Sequence, residues 1–387
     1  MSGTTSGDLL ELIRTGRADT RGDLQTVTGL SRSTVAQRIE TLVAAGLVHE
    51  LGGTTSTGGR PPVRLGFNIH GGVVLVADLG ATHATLAVCD LSAHPLAIRR
   101  SHRDIADGPE PVLDWVRSEF DALLSEIGRA PSDVRGIGIG VPGPVDFAGG
   151  FAVKPPIMPG WNGFRIREAF PRYGVPVHVD NDVNIMALGE FWKRPDEDDL
   201  VVVKVGTGIG AGLIINREIH RGARGGAGDL GHVQAGGDVV CNCGNTGCLE
   251  ASAGGAALAR QLRDLGYDTN TVDDVVALLQ RGNRDAIAAV REAGRMLGQV
   301  LASIVNLLNP STILVGGSIA LADDHLLAGL REIVFRRATS LSTAELRLAT
   351  CALGDDAGVI GAAAMVAEQI FDPRTVDASL PRRAAAG

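Results

Sequence analysis

The sequence predicts an α/β protein preceded by a small winged helix-turn-helix module. Three observations carry this reading. Residues 1–66 set short amphipathic helices between turn residues and end in a stretch rich in Gly, Thr and Ser. From Gly72 onward, short strands of Val, Ile and Leu are separated by glycine loops, and Gly reaches 52 of 387 residues against a usual ~7%. The length also exceeds an ordinary domain of about 100–200 residues. With aromatics at only 4%, the cores must rest on Val, Ile, Leu and Ala.

Within the first module, Leu9, Leu10, Leu12 and Ile13 give Asp8–Arg17 an apolar side, hence a first helix. Thr20 stands three residues before Asp23, a capping-box pattern that starts a second helix running to Thr28, and Gly29 supplies the turn. Ser31 caps a third helix, 32–45, whose Val35, Ile39, Leu42 and Val43 keep the spacing of one buried stripe, and Gly46 ends it. Leu47–Glu50 reads as a strand, 52–59 as a wing, and Arg60-Pro61-Pro62 as its close. Opposite the stripe the third helix carries Arg32, Ser33, Thr34, Gln37 and Arg38; with Arg60 these are donors and acceptors suited to phosphates and base edges. The same residues could be a merely solvated face, but the helix-turn-helix spacing and the wing favour DNA. The chain has a net charge of −8, which excludes a protein that coats nucleic acid or anionic membrane over its whole surface. Residues 1–66 hold seven Arg and six acids, so a slightly basic head sits on an acidic body.

In the body, strands are expected at 73–79 and 85–90, joined by Gly80-Ala81-Thr82-His83, and at 134–139, 175–179, 200–205, 211–215 and 312–315. Helices are expected at 111–127 and 287–308, the second ended by Asn309-Pro310; the tail after Asp372 reads as disordered. There is no tandem repeat of short period, no apolar run near the ~18 residues of a membrane span, and no signal-peptide pattern, so the cytoplasm is the expected compartment.

Three glycine turns follow strands: Asp78-Leu79-Gly80-Ala81-Thr82, Gly206-Thr207-Gly208, and Gly316-Gly317. Such turns can cradle phosphate, but none is a P-loop or a dinucleotide fingerprint, and each alone could be a plain tight turn. Asp180-Asn181-Asp182 follows an apolar strand; an Asp there can take a proton from a sugar hydroxyl, or the cluster can simply cap a helix. The sharpest pattern is Asp229-Leu230-Gly231-His232 followed by Cys241-x-Cys243-Gly244-x-x-Gly247-Cys248-x-Glu250. One His and three Cys make the closed N/S tetrahedron of structural zinc, here His232, Cys241, Cys243 and Cys248. Cys89 and Cys351 sit in apolar surroundings and read as core.

Together with Gly140–Asp146 and Pro159–Gly163, these motifs resemble the ROK family (repressors, open reading frames and kinases) over about residues 60–370. The winged module is similar to its transcriptional-regulator branch, the xylose and N-acetylglucosamine repressors. The resemblance implies an actin-like sugar-kinase fold with two α/β lobes. It divides the chain into a DNA-binding domain (1–70), a small lobe (71–193), a large lobe with the zinc site (194–371) and a tail (372–387). It also implies that Asn181, Asp182, Asp229, His232 and Glu250 bind sugar, with Asp182 as the base in any phosphotransfer. Asp78, Gly80 and Thr82 would form the first phosphate loop, Gly206, Thr207 and Gly208 the second, and Gly316 and Gly317 the adenosine side. Two departures weaken a kinase: Ala81 and His83 alter the first loop, where a positive φ at 81 would be resisted, and Asp229 replaces the usual Glu. The function implied is a sugar-responsive repressor of carbohydrate-metabolism genes. Its expected partners are operator DNA and a sugar or sugar phosphate, in a homodimer or homotetramer with structural Zn2+. The alternative is an ATP- and Mg2+-dependent sugar kinase carrying a DNA-binding module.

Overall fold

The computed structural model describes residues 4–51, 63–322 and 324–380. Helix α1 (Ser6–Arg14) begins at Thr5, whose hydroxyl accepts from the Asp8 N–H while Asp8 accepts from the Thr5 N–H. Helix α2 (Arg21–Thr28) is capped by Thr20 and closed by Gly29 at φ +69, and Ser31 caps α3 (Arg32–Ala44). Strands β1 (Val48–Leu51) and β2 (Arg64–Phe67) pair antiparallel as the wing's base. Leu9, Leu10, Leu24, Val35, Ile39 and Leu42 are fully buried and form the module's core. The wing itself, including Arg60, lies outside the described residues.

The body builds one unit twice. In the first, β3 (Val73–Leu79), β4 (His83–Cys89) and β5 (Pro95–His102) form an antiparallel meander. Helix α4 (Pro109–Glu126) then crosses to β6 (Val134–Val141), parallel to β3; β7 (Val145–Asp146) and β8 (Phe151–Ala152) form a small ribbon, and β9 (Val177–Asn181) lies parallel to β6. Helix α5 (Asp182–Trp192) follows directly. In the second unit β10 (Leu200–Val205), β11 (Ile209–Ile215) and β12 (Glu218–Ile219) repeat the meander. Helices α6 (Leu249–Ala253), α7 (Gly255–Asp264), α8 (Val272–Gln280) and α9 (Arg284–Leu308) lead to β13 (Thr312–Gly316), parallel to β10. Then α10 (Ser318–Ala322), α11 (His325–Arg337) and α12 (Ser340–Thr343) lead to β14 (Arg347–Thr350), parallel to β13. The two five-stranded sheets therefore share one order, β5-β4-β3-β6-β9 and β12-β11-β10-β13-β14. Equivalent positions follow from the register. Asp78, two residues before Gly80, faces Gly140; Lys204, two residues before Gly206, faces Gly316.

Helix α5 packs on β10 and β11, while α13 (Ala357–Ile370) packs on β3 and β6, and the two helices pack on each other between the sheets. Both are buried on nearly every side; α13 is almost wholly apolar, whereas α5 also buries Asp182, Asn184 and Glu190, each paired with a polar partner, Lys204, Asp180 and Arg194 respectively. Their close crossing depends on two glycines: a Cβ on Gly361 would overlap the Ile185 carbonyl oxygen, and one on Gly189 would overlap that of Ala357. The sequence division assigned α13 to the second lobe, but it returns to the first sheet.

The tail is ordered further than the sequence suggested. Asp372 caps α14 (Pro373–Ser379), which rests on α1: Asp377 Oδ1 accepts from the Gly7 N–H at 2.9 Å. Phe371 meets Phe67 of β2 edge-on, with ring centroids 4.9 Å apart. Val376 is buried in this contact, so local composition underestimated a segment stabilised by tertiary packing. Residues 381–387 lie outside the described part. No helix among the described residues is long and apolar enough to cross a membrane.

Candidate ligand cleft and metal centre

The end of β9 and the start of α5 place three polar side chains at the carboxyl edge of the first sheet, where open α/β folds bind ligands. Asp180 is almost fully buried. Its Oδ1 accepts from the Asn181 N–H and from Asn184 Nδ2, each at 2.8 Å, and its Oδ2 accepts from Arg221 Nε at 2.7 Å. The Arg221 guanidinium also lies 3.8 Å over the Phe147 ring, which fixes its plane. Asn181 caps α5 through Oδ1, which accepts from Val183 N–H at 2.8 Å, while its Nδ2 donates to the Gly143 carbonyl at 2.9 Å. The capping reading of this residue thus holds, whatever else it touches.

Asp182 opens α5, and its Oδ2 accepts from Lys204 Nζ at 2.7 Å. The pair is shielded, with side-chain exposures of 10% for Asp182 and 21% for Lys204. Burial opposes the Lys204 charge, but Asp182, Asp78 and the rim residue Asp355 outweigh it and raise its pKa. Asp78 has a buried Oδ1 with no hydrogen-bond partner. Burial lifts its carboxyl to about 6, the Lys204 ammonium pulling the other way and Asp182 adding to the rise.

The first loop corrects one expectation. Ala81 is not among the residues with positive φ, so it has no left-handed strain to resist. The loop closes instead through Gly80 N–H to the His83 carbonyl at 2.8 Å and Ile105 N–H to the Ala81 carbonyl at 3.0 Å. What alters it is His83, whose ring lies against Gly80 where any Cβ would overlap it. The surrounding protein and the Lys204 ammonium hold His83 below its ordinary pKa. Thr82 is exposed beside it.

In the second loop, Gly206 N–H donates to the Gly208 carbonyl at 3.0 Å. Carbonyls of Gly206 and Thr207 accept from the first amides of α7, Gly255 at 2.9 Å and Ala256 at 3.1 Å. Those amides are therefore committed within the protein. Gly208 must lack a side chain because Glu250 Oε2 fills the space, accepting from the Ile209 N–H at 3.0 Å. Gly317, at φ +89, lies tightly against Val205 and brings the end of β13 beside this loop, with Gly316 packed on Met186 and Cys351.

His232, Cys241, Cys243 and Cys248 bring one donor atom each within 4.8 Å of one another, a cluster that can hold a metal ion. Cys241 Sγ lies 3.5 Å from His232 Nδ1, and Cys243 Sγ lies 3.7 Å from Cys248 Sγ. A zinc tetrahedron with its usual bond lengths has N···S and S···S edges of about 3.6 and about 3.8 Å, so these donors fit it. His232 Nδ1 faces the sulfurs, which leaves Nε2 facing Asp229 Oδ1 at 3.9 Å. Glu250, two residues after Cys248, is held on the same short segment. Cys89 and Cys351 are buried away from this cluster as expected, and burial pushes the Cys351 thiol up to about 12.

On α3, Arg32, Ser33 and Gln37 are exposed, whereas Thr34 and Arg38 are half-buried. Thr34 Oγ1 lies 2.8 Å from Ser31 Oγ, within the helix cap. Arg38 Nη1 is buried without a hydrogen-bond partner, so this residue is less openly presented than its position on the helix implied.

Sequence reasoning placed Asp180 in the polar cluster without a role of its own and missed Lys204, Arg221 and Asp355 as members of the cleft. One signal was available: among 36 basic residues only Lys154, Lys193 and Lys204 are lysines, and only Lys204 interrupts an apolar strand before a glycine loop.

A winged helix-turn-helix joined to two copies of one α/β unit around a carboxylate-rich cleft defines an actin-like sugar-kinase architecture with an added N-terminal module. The chain belongs to the ROK family, whose family model matches residues 74–369. A putative xylose repressor of Caldicellulosiruptor sp. (strain Rt8B.4) is 33% identical over 379 residues, spanning 92% of this chain and 94% of that protein. A solved ROK family transcriptional regulator, a homologue of the E. coli MLC protein, superposes with TM-score 0.81 at 26% identity, covering 96% of this chain and 97% of that one. A ROK family glucokinase from Streptomyces griseus, solved with glucose and AMPPNP, superposes with TM-score 0.67 at 27% identity, covering 76% and 99%.

Proposed function

We propose that this protein is a sugar-responsive repressor that binds operator DNA through its winged helix-turn-helix and a monosaccharide in the cleft. The observation that carries the reading is the joining of the two: the helical module is packed onto the sugar-kinase body through α1 and α14, and the similarity to a putative xylose repressor spans 92% of this chain and 94% of that one. Arg32, Ser33 and Gln37 of α3, with Arg60 of the wing, are the residues assigned to DNA. A homodimer would set two such helices in successive major grooves.

Asn181, Asp182, Asp229, His232 and Glu250 are assigned to the sugar, carboxylates accepting from hydroxyls and His232 Nε2 facing Asp229. Zinc on His232 Nδ1, Cys241, Cys243 and Cys248 would fix the histidine ring and leave Nε2 to the ligand. Its role would be structural, because the four protein donors would fill the tetrahedron.

A physical link between the cleft and the winged module is supported by one residue of α13. Glu368 on α13 stands within electrostatic reach of Arg14 on α1 and of Arg221, the partner of Asp180. Ligand binding that favours one disposition of α5 and α13 would shift α14 and, with it, α1. The sugar lowers operator affinity only by as much as it prefers the disposition that misplaces α3.

The test uses full-length protein and a duplex enriched from random DNA by repeated binding. Gel-shift titrations are run with xylose, glucose and N-acetylglucosamine. One sugar should release the duplex, and Asp182→Asn should retain duplex binding while losing the release. A chain that selects no duplex, or whose binding ignores every sugar that raises its melting temperature, is not a sugar-responsive repressor. An ADP-release assay over the same sugars reads the alternative activity; turnover that vanishes in Asp182→Asn would make the protein a kinase.

A further inference from the structure

Phosphoryl transfer from ATP requires a divalent cation to bridge phosphate oxygens and neutralise developing charge. In this cleft the carboxylates that could receive one already face a cation of the protein's own. Lys204 Nζ donates to Asp182 Oδ2 at 2.7 Å, and the same ammonium acts on Asp78 and Asp355. Asp78 and Lys204 occupy the same place in the two repeated units, two residues before the glycine that opens each loop, and their charges act on one another between the units. A hydrated Mg2+ demands near-octahedral oxygen ligands and open space for water. An ammonium on a four-carbon stem, held by Asp182, supplies the charge and takes the space. The residues present do not fit the ion.

We propose that Lys204 is a built-in counter-cation: it stands where a kinase of this fold would hold its divalent metal, and by pairing with Asp182 it keeps that carboxylate from acting as a base. The cleft then reads a sugar without phosphorylating it. This deepens the repressor reading and rests on it. His83 contributes on the other side, its ring covering Gly80 of the first loop.

The consequence is a gain of function. Zinc-loaded full-length protein is titrated with Mn2+ alone, and the signal of free aqueous Mn2+ is followed by electron paramagnetic resonance. The native chain should leave the ion free into the millimolar range. Lys204→Met should bind it roughly tenfold or more tightly, since one unit charge a few ångströms away changes a cation's affinity by that much even at high effective dielectric. Lys204→Gln, which keeps a donor toward Asp182 but no charge, should do the same and guards against poor folding of the first variant. Adding Asp78→Asn should abolish the gain, and Lys204→Arg should show none. Native protein that binds Mn2+ as tightly as the variants, or uncharged variants that gain nothing, would overturn the proposal. The two readings fail separately: a chain deaf to sugar in the gel shift loses the repressor reading whatever Mn2+ does, while a silent Mn2+ titration removes Lys204 from its role and leaves the repressor intact.

Discussion

Asp78 and Lys204 hold equivalent positions in the two halves of the body yet carry opposite charge, and Asp182, on the helix between the halves, bonds the lysine at 2.7 Å. One ammonium thus serves as counter-charge to carboxylates from both halves of the body.

A first prediction concerns how this cluster balances. Removing Lys204 leaves Asp78 and Asp182 facing each other without a counter-charge; removing Asp182 leaves the lysine still facing Asp78. Lys204→Met should therefore destabilise the chain more than Asp182→Ala, with losses of roughly 1–4 kcal/mol. The double variant should cost less than the two singles together, because neither charge is left behind. Urea denaturation of all four proteins checks the ordering, and equal single losses with simple additivity would contradict it.

Asp78 gives a pH dependence with a definite sign. Its pKa rises from 3.8 unfolded to about 6 folded, so the folded chain binds the extra proton between these values. Stability from this group is fully present below pH 4 and is lost as pH climbs through about 6. Asp78→Asn should thus be more stable than the native chain at pH 7.5, on the order of 1–3 kcal/mol, with the difference shrinking toward pH 4. Denaturant midpoints at the two pH values measure it; a variant less stable at pH 7.5 would refute the burial argument.

The metal centre predicts about one zinc per chain in protein purified without added metal, measured by elemental analysis. Cys248→Ser should lose the metal and, with it, the placement of His232 and Glu250, so sugar-induced rises in melting temperature should disappear. Retained sugar binding in zinc-free protein would separate the cluster from the cleft.

Gly361→Ala tests the central helix crossing. Its Cβ would overlap the Ile185 carbonyl oxygen, a backbone atom that cannot swing aside. The cost should be about 1–3 kcal/mol or more, and Gly354→Ala gives a contrast: its φ of +54 is strained, but a Cβ there meets no atom within 4 Å. A melting temperature of Gly361→Ala equal to that of the native chain would show that α5 and α13 are not tightly seated.

Features set by a few neighbouring residues were legible in the letters alone. The caps at Thr20 and Ser31 and the turn at Gly29 were legible because a cap needs only its own next few residues, while the cap of the first helix at Thr5 emerged only in the structure. The metal cluster was legible because its four donors lie within seventeen residues, His232 to Cys248, where spacing nearly dictates geometry. Tertiary structure decided the rest. The doubling of the body left no repeat in the letters, since each strand keeps only apolarity and each loop only a glycine. α14 is ordered by α1, more than three hundred residues away, and so its own composition was silent. Lys204, a single residue outside any motif, gains meaning only when folding brings Asp182 and Asp78 to it. A charge reports its role through the distance to other charges, and that distance belongs to the fold.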